Sequence, residues 1–186
     1  MRCTHCCIVC RQFRIEHVAA EPAQEAEQAD LPPLIRSFAV QRAPGADLAL
    51  RFHQLVAIDG TMPGGGNNRV EIAVASIPAL LAMKGFAVQG RHKQKDACDI
   101  YYCVRNYPGG VEALAAACRA LLSDAGGEQG YRHITAKFHD VDDYGPTCVR
   151  RFVEATMLLG ERTPEQRQVD AFGQVDAWLR AMGMRP

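Results

Sequence analysis

The sequence predicts an α+β fold, a small antiparallel sheet or hairpin followed by a helical bundle. Two observations carry this. Two mostly apolar runs, Leu48–Ile58 and Arg69–Ala75, flank a glycine-rich loop, and the second alternates with Val70, Ile72 and Val74 on one face. From Ser76 to the end, apolar residues recur at helical spacing, interrupted by glycine, proline and capping residues.

Residues 1–44 show no clear period and read as an irregular, cysteine-rich leader and linker. Cys3, Cys6, Cys7 and Cys10 form back-to-back C-x2-C pairs. A structural zinc site needs a second ligand pair on a separate turn, and none follows. The acidic, alanine-rich Glu21–Asp30 runs into Pro32-Pro33, and Leu34–Val40 is a short apolar run of ambiguous type.

Residues 45–186 read as one domain. Leu48–Ile58 ends at Asp59-Gly60 and is expected to be a strand, pairing with Arg69–Ala75 across the loop Thr61–Asn68. The three glycines of that loop fit neither phosphate-binding pattern, and a phosphate loop leads into a helix, so a hairpin tip is expected. Ser76 caps a helix with Pro78 in its first turn and Ile77, Leu80, Leu81 and Val88 on one arc. Lys95–Asn106 places Ala97, Ile100, Tyr101 and Val104 on one face. Gly110–Ser123 does so with Val111, Leu114, Cys118 and Leu121, and Glu128–Phe138 with Tyr131, Ile134 and Phe138. Pro146 opens a helix carrying Val149, Phe152, Val153 and Thr156 and closed by Gly160. Thr163-Pro164 caps a last helix with Val169, Phe172, Val175, Leu179 and Met182 inward and Trp178 close to that stripe.

Lysine plus arginine equals aspartate plus glutamate at 21 each. No global basic field argues for bulk binding to DNA or to a membrane surface. The apolar runs are too short to span a bilayer, and the N-terminus lacks a sustained apolar segment, so a cytoplasmic protein is expected.

Lys84 falls inside the apolar arc of its helix. An unpaired ammonium there would cost several kcal/mol or lose its proton, so an anion should meet it. Asp96 and Asp99, three apart on the next helix, are the nearest candidates, and a phosphate-bearing ligand is the other. With Arg91, Lys93 and Lys95 they form a cationic and acidic cluster suited to a nucleotide triphosphate, or a buried structural ion pair. The acidic run Asp140-Val141-Asp142-Asp143 precedes a helix start and reads as turn-forming rather than metal-binding. His53, His92, His133 and His139 lie singly on different elements and suggest no common site.

The run Ser76, Lys84, Arg91 and Lys95-Asp96-Ala-Cys-Asp99 resembles the nucleotidyltransferase-like toxins of abortive-infection systems over about residues 45–155. The resemblance implies a partial nucleotidyltransferase fold with catalytic Lys84 and Asp96: the lysine would contact phosphate and the aspartate would orient it or remove a proton. It implies phosphate or acceptor contacts at Arg91 and Lys95, with Asp99 supporting them. Nucleotidyl transfer would then run from a nucleoside triphosphate to an RNA or protein acceptor. The family binds magnesium through an Asp-x-Asp on strands ahead of the lysine, and this chain has no Asp-x-Asp ahead of Lys84. The expectation is a truncated, degenerate member that binds nucleoside triphosphate at best, with magnesium a cofactor only if the missing half is supplied. A non-catalytic protein of a toxin–antitoxin pair, binding a cognate antitoxin, and a small zinc regulator built on the N-terminal cysteines are the alternatives.

Overall fold

The computed structural model describes residues 44–156 and 162–186. The cysteine-rich leader, the run Leu34–Val40 and the expected helix end at Gly160 lie outside the described residues. The described residues contain seven helices and one two-stranded antiparallel hairpin, an α+β arrangement with a helical bundle. In order they are α1 (Asp47–Arg51), β1 (His53–Thr61), β2 (Asn67–Ala75), α2 (Ile77–Gly90), α3 (Gln94–Arg105), α4 (Gly110–Leu122), α5 (Ala125–Lys137), α6 (Tyr144–Thr156) and α7 (Pro164–Ala181). None of these helices is long and apolar enough to cross a membrane.

The expected strand Leu48–Ile58 is corrected at both ends. Its first half forms α1, with Leu48 fully buried, and the strand continues past Asp59-Gly60 to Thr61. The short helix forms because Leu48 has a core to enter, while Arg51 bonds both Asp47 and Asp124. Asp124 is in turn the N-cap of α5, accepting from Gly127 N at 3.0 Å. The guanidinium of Arg51, helped by that cap, holds the Asp124 carboxyl down at about 2. The root of the hairpin is thereby tied to the start of α5, and the Ser76 N–H donates to Phe52 O at 2.9 Å.

β1 and β2 pair in the expected antiparallel sense, from His53 opposite Ala75 to Thr61 opposite Asn67. The tip closes through Met62 N–H to Gly66 O and Gly65 N–H to Met62 O, at 3.0 and 2.9 Å. Gly65 and Gly66 have φ of 83° and 91°, which glycine adopts without penalty. Cross-strand pairs Val56–Ile72 and Ile58–Val70, with Val74, share one face. That face is not core: Ile58, Val70, Ile72 and Val74 are between 36% and 46% exposed.

The bundle core is continuous from α2 to α7. α2 lies against α5, α6 packs on α3 and α7, and α4 packs on α7. Leu81, Val88, Ile100, Val104, Leu114, Tyr131, Ile134, Phe138, Val149 and Trp178 are all buried. Tyr131 meets Trp178 edge to face, with centroids 5.5 Å apart, and donates from its hydroxyl to Pro78 O at 3.0 Å. The capping box of α7 forms as Thr163 predicts, with Gln166 reciprocating.

The inward face of α7 differs from the expected stripe. Val169 is 60% exposed, and Gln168, Ala171, Val175, Trp178 and Leu179 face inward. Gln168 turns in because its amide donates to Val141 O at 2.8 Å and to Asp142 Oδ1 at 3.2 Å. A buried amide with both donors used carries little penalty.

The crossing of α2 over α5 is backbone against backbone. A Cβ on Gly85 would fall far inside contact distance of the Gly130 carbonyl oxygen, and one on Gly130 would do the same to Ala82 O. Gly173, on the open side of α7, has nothing near it. Gly85→Ala and Gly130→Ala should each destabilise the fold by about 3 kcal/mol, because backbone must move to admit one methyl. Gly173→Ala should stabilise it by about 0.5–1 kcal/mol through helix propensity alone. Urea denaturation midpoints of the three variants check this, and a neutral Gly85→Ala would refute the close crossing.

Candidate functional site

Lys84 stands beside Gly85 on α2, and the chain turns at Arg91–Lys93 into α3. Ser76 starts α2 by accepting from Ala79 N at 3.3 Å, with proline in the first turn, so the phase of Lys84 is set eight residues upstream. Asp96 sits in the first turn of α3, where the helix dipole favours a carboxylate.

The structure brings all five sequence-predicted residues together. Lys84 Nζ lies 2.7 Å from Asp96 Oδ1 and 2.7 Å from Asp99 Oδ2. Arg91 donates to both oxygens of Asp96, from Nε at 2.7 Å and Nη2 at 2.9 Å. Lys95 donates to Asp99 at 2.8 Å, one turn along the helix. Asp96 is 2% exposed, Lys84 is mostly buried, and Arg91 and Lys95 are half open to solvent.

Burial alone would favour a neutral Lys84, but hydrogen bonds to Asp96 and Asp99 outweigh it and hold the ammonium above its ordinary value. Asp96 behaves reciprocally. Burial opposes its charge, yet bonds from Arg91 and Lys84 outweigh burial and keep the carboxyl below its ordinary range. The bond to Asp96 likewise raises Arg91. A carboxylate held so firmly ionised is a weak base, and its chemistry here is to orient cations.

Asp96 and Asp99 do not fit magnesium. Both oxygens of Asp96 accept from cationic donors, and Asp99 lies between two lysines. A divalent cation would have to displace ammonium and guanidinium groups already neutralising those oxygens. The Asp140–Asp143 run makes a turn: Asp140 N donates to Asp143 Oδ2 at 2.8 Å and Asp142 N to Asp140 Oδ1 at 3.2 Å. Among the described residues no three His, Cys, Asp or Glu side chains converge as a metal site.

Tyr144 adds to the site from α6. Its ring meets His92 edge to face at 5.9 Å, and the Lys137 ammonium stands 5.3 Å above it. Burial, the neighbouring Cys148 and the charge of Asp96 push its hydroxyl up to about 12. No local spacing points to Tyr144, which lies far along the chain and is brought in by the packing of α6 on α3. Around the α2–α3 corner, Lys84, Arg91 and Lys95 pair with Asp96 and Asp99, three cations to two carboxylates, and Lys93 is exposed in the connecting turn.

Asp96→Ala should destabilise the fold by about 3 kcal/mol, the low end for breaking a buried pair because Arg91 is open to solvent. Lys84→Met should cost less, since methionine fills the volume and Asp96 keeps Arg91. Equal small effects would show that the cluster is not structural. A carboxyl depressed in the fold stabilises it fully above the unfolded value, 3.8, and loses that contribution as pH falls through the folded value. Wild-type stability should therefore drop below pH 3.8 more steeply than that of Asp96→Asn, as read by urea midpoints across an acid series.

Comparison with protein-family models, with curated proteins and with solved structures finds no match to this chain.

Proposed function

We propose that the chain is a degenerate nucleotidyltransferase-like protein of the cytoplasm that binds a nucleoside triphosphate at the α2–α3 corner without turning it over. The observation that carries this reading is the cationic surplus of that corner. Asp96, fully engaged, fixes Lys84 and Arg91 in place, while Arg91, Lys93 and Lys95 keep donors turned to solvent. Guanidinium and ammonium groups held this way bind phosphate oxygens through charge-assisted hydrogen bonds and need no metal to do so.

Transfer is a separate demand. Charge on the leaving pyrophosphate and the attacking oxygen must be stabilised in line, usually by magnesium between carboxylates. The chain has no Asp-x-Asp ahead of Lys84, and the carboxylates at the corner are committed to cations. An RNA or protein acceptor belongs to the reading only if that metal function is supplied.

A second reading, a non-catalytic interaction protein of a toxin–antitoxin type pair, is favoured by the exposed β-branched face of the hairpin. Nucleotide binding separates the two. Isothermal titration should give weak, saturable binding of nucleoside triphosphate that falls roughly tenfold in Arg91→Ala, the loss of one charge-assisted contact. Incubation with labelled nucleotide, magnesium and total transfer RNA should give no labelling. Labelling abolished by Asp96→Ala would overturn the degenerate reading, and absence of nucleotide binding would favour the interaction protein.

A further inference from the structure

Among the described residues no third strand joins the hairpin, so both of its outer edges are open. Every residue of β1 and β2 except Val56 and Ala75 is exposed. A sheet needs about three strands with an apolar face to be stable in water, and this one has two.

Two hydrogen bonds fix which backbone groups face outward. Ser76 N–H donates to Phe52 O at the root, and Met62 N–H donates to Gly66 O at the tip. Bonded pairs alternate along an antiparallel ladder with pairs whose N–H and C=O point away. In the observed register the even-numbered residues therefore bond across the hairpin. Asn67, Arg69, Glu71 and Ala73 turn their N–H and C=O groups to the open edge of β2.

That edge is complementary to itself. Arg69 and Glu71 are two apart and so lie on one face, with Val70 between them on the other. A second β2, antiparallel about a two-fold axis at Val70, would set each Arg69 opposite the other chain's Glu71. An axis at Glu71 or at Arg69 would oppose like charges, and one at Ile72 would put both opposite alanines. Edge charges commonly ward off pairing, but a pair of opposite sign at this spacing repels only in the wrong registers. Glu71 lies opposite Ala57 within its own hairpin, and Arg69 is 3.9 Å from Asp59 with both side chains open to solvent. The edge of β1 has no such pattern, since Asp59 is the one acid there and no lysine or arginine accompanies it.

We propose that β2 pairs with the β2 of a second copy of this chain about a two-fold axis at Val70, forming a four-stranded antiparallel sheet. Main-chain hydrogen bonds join the strands, and the two Arg69–Glu71 pairs select the register. The pairing stands whether or not the α2–α3 corner binds nucleotide.

Sedimentation velocity of the full chain under reducing conditions, over a concentration series, tests it. The wild type should pass from monomer to dimer and no further, because an isologous contact closes on itself. Arg69→Glu and Glu71→Arg should each weaken the dimer roughly tenfold or more, with urea midpoints near that of the wild type. An equimolar mixture of the two variants should recover most of the association, since each altered residue then meets opposite charge. A wild type monomeric up to about 0.1 mM, growth beyond a dimer, or a mixture no better than its components would overturn the proposal. So would a dimer indifferent to both reversals but lost in Ile72→Thr, which would assign association to the apolar face instead.

Discussion

The contact of α2 with α5 at Gly85 and Gly130 is the constraint on which the rest of this unit depends. Two helices whose backbones touch can slide or rotate very little, because any side chain beyond hydrogen would push them apart. Gly85 is the neighbour of Lys84, so the same contact sets the depth and direction of the lysine. Tyr131, one residue from Gly130, then reaches back to Pro78 and rests on Trp178, which joins α7 to the pair. A close crossing, one hydroxyl and one ring pair thereby align three helices.

The ion cluster around Asp96 depends on that alignment and adds little net stability of its own. Taking a carboxylate and an ammonium out of water costs nearly what their attraction returns. What the cluster contributes is direction: with Asp96 bonded three times, the turn from α2 into α3 has one favoured geometry, and the cations around it face one corner. At the far end of α3, Arg105 and Arg162 follow the same logic, with Tyr101 and Asp170 as the ordering groups. At the α2–α3 corner three cations meet two carboxylates, and this excess underlies the reading of that corner as an anion site.

The hairpin has the opposite character. A lone two-stranded hairpin is marginal in water, and this one is anchored at its root by Leu48, the Arg51–Asp124 bonds and the Ser76–Phe52 hydrogen bond. Beyond the root its apolar face stays exposed, a feature of surfaces that meet partners.

By itself the sequence determined the helices of the bundle and the pairing of the hairpin, because periodicity and capping are local. Ser76, Thr163 and the alternation of Val70, Ile72 and Val74 act within a few residues of themselves. It also determined that Lys84 needs an anion and that Asp96 and Asp99 are near enough to supply one, since a charge on an apolar arc has few alternatives. Tertiary structure alone decided the rest. Alternation says that a strand has two faces, not what covers either, so the exposure of Ile72 was not legible. The inward turn of Gln168 depends on a carbonyl 27 residues away, and the meeting of Tyr101 with Asp170 spans 69. Contacts between distant segments leave no period in the chain, because they arise only once helices such as α2 and α5 have fixed each other in space.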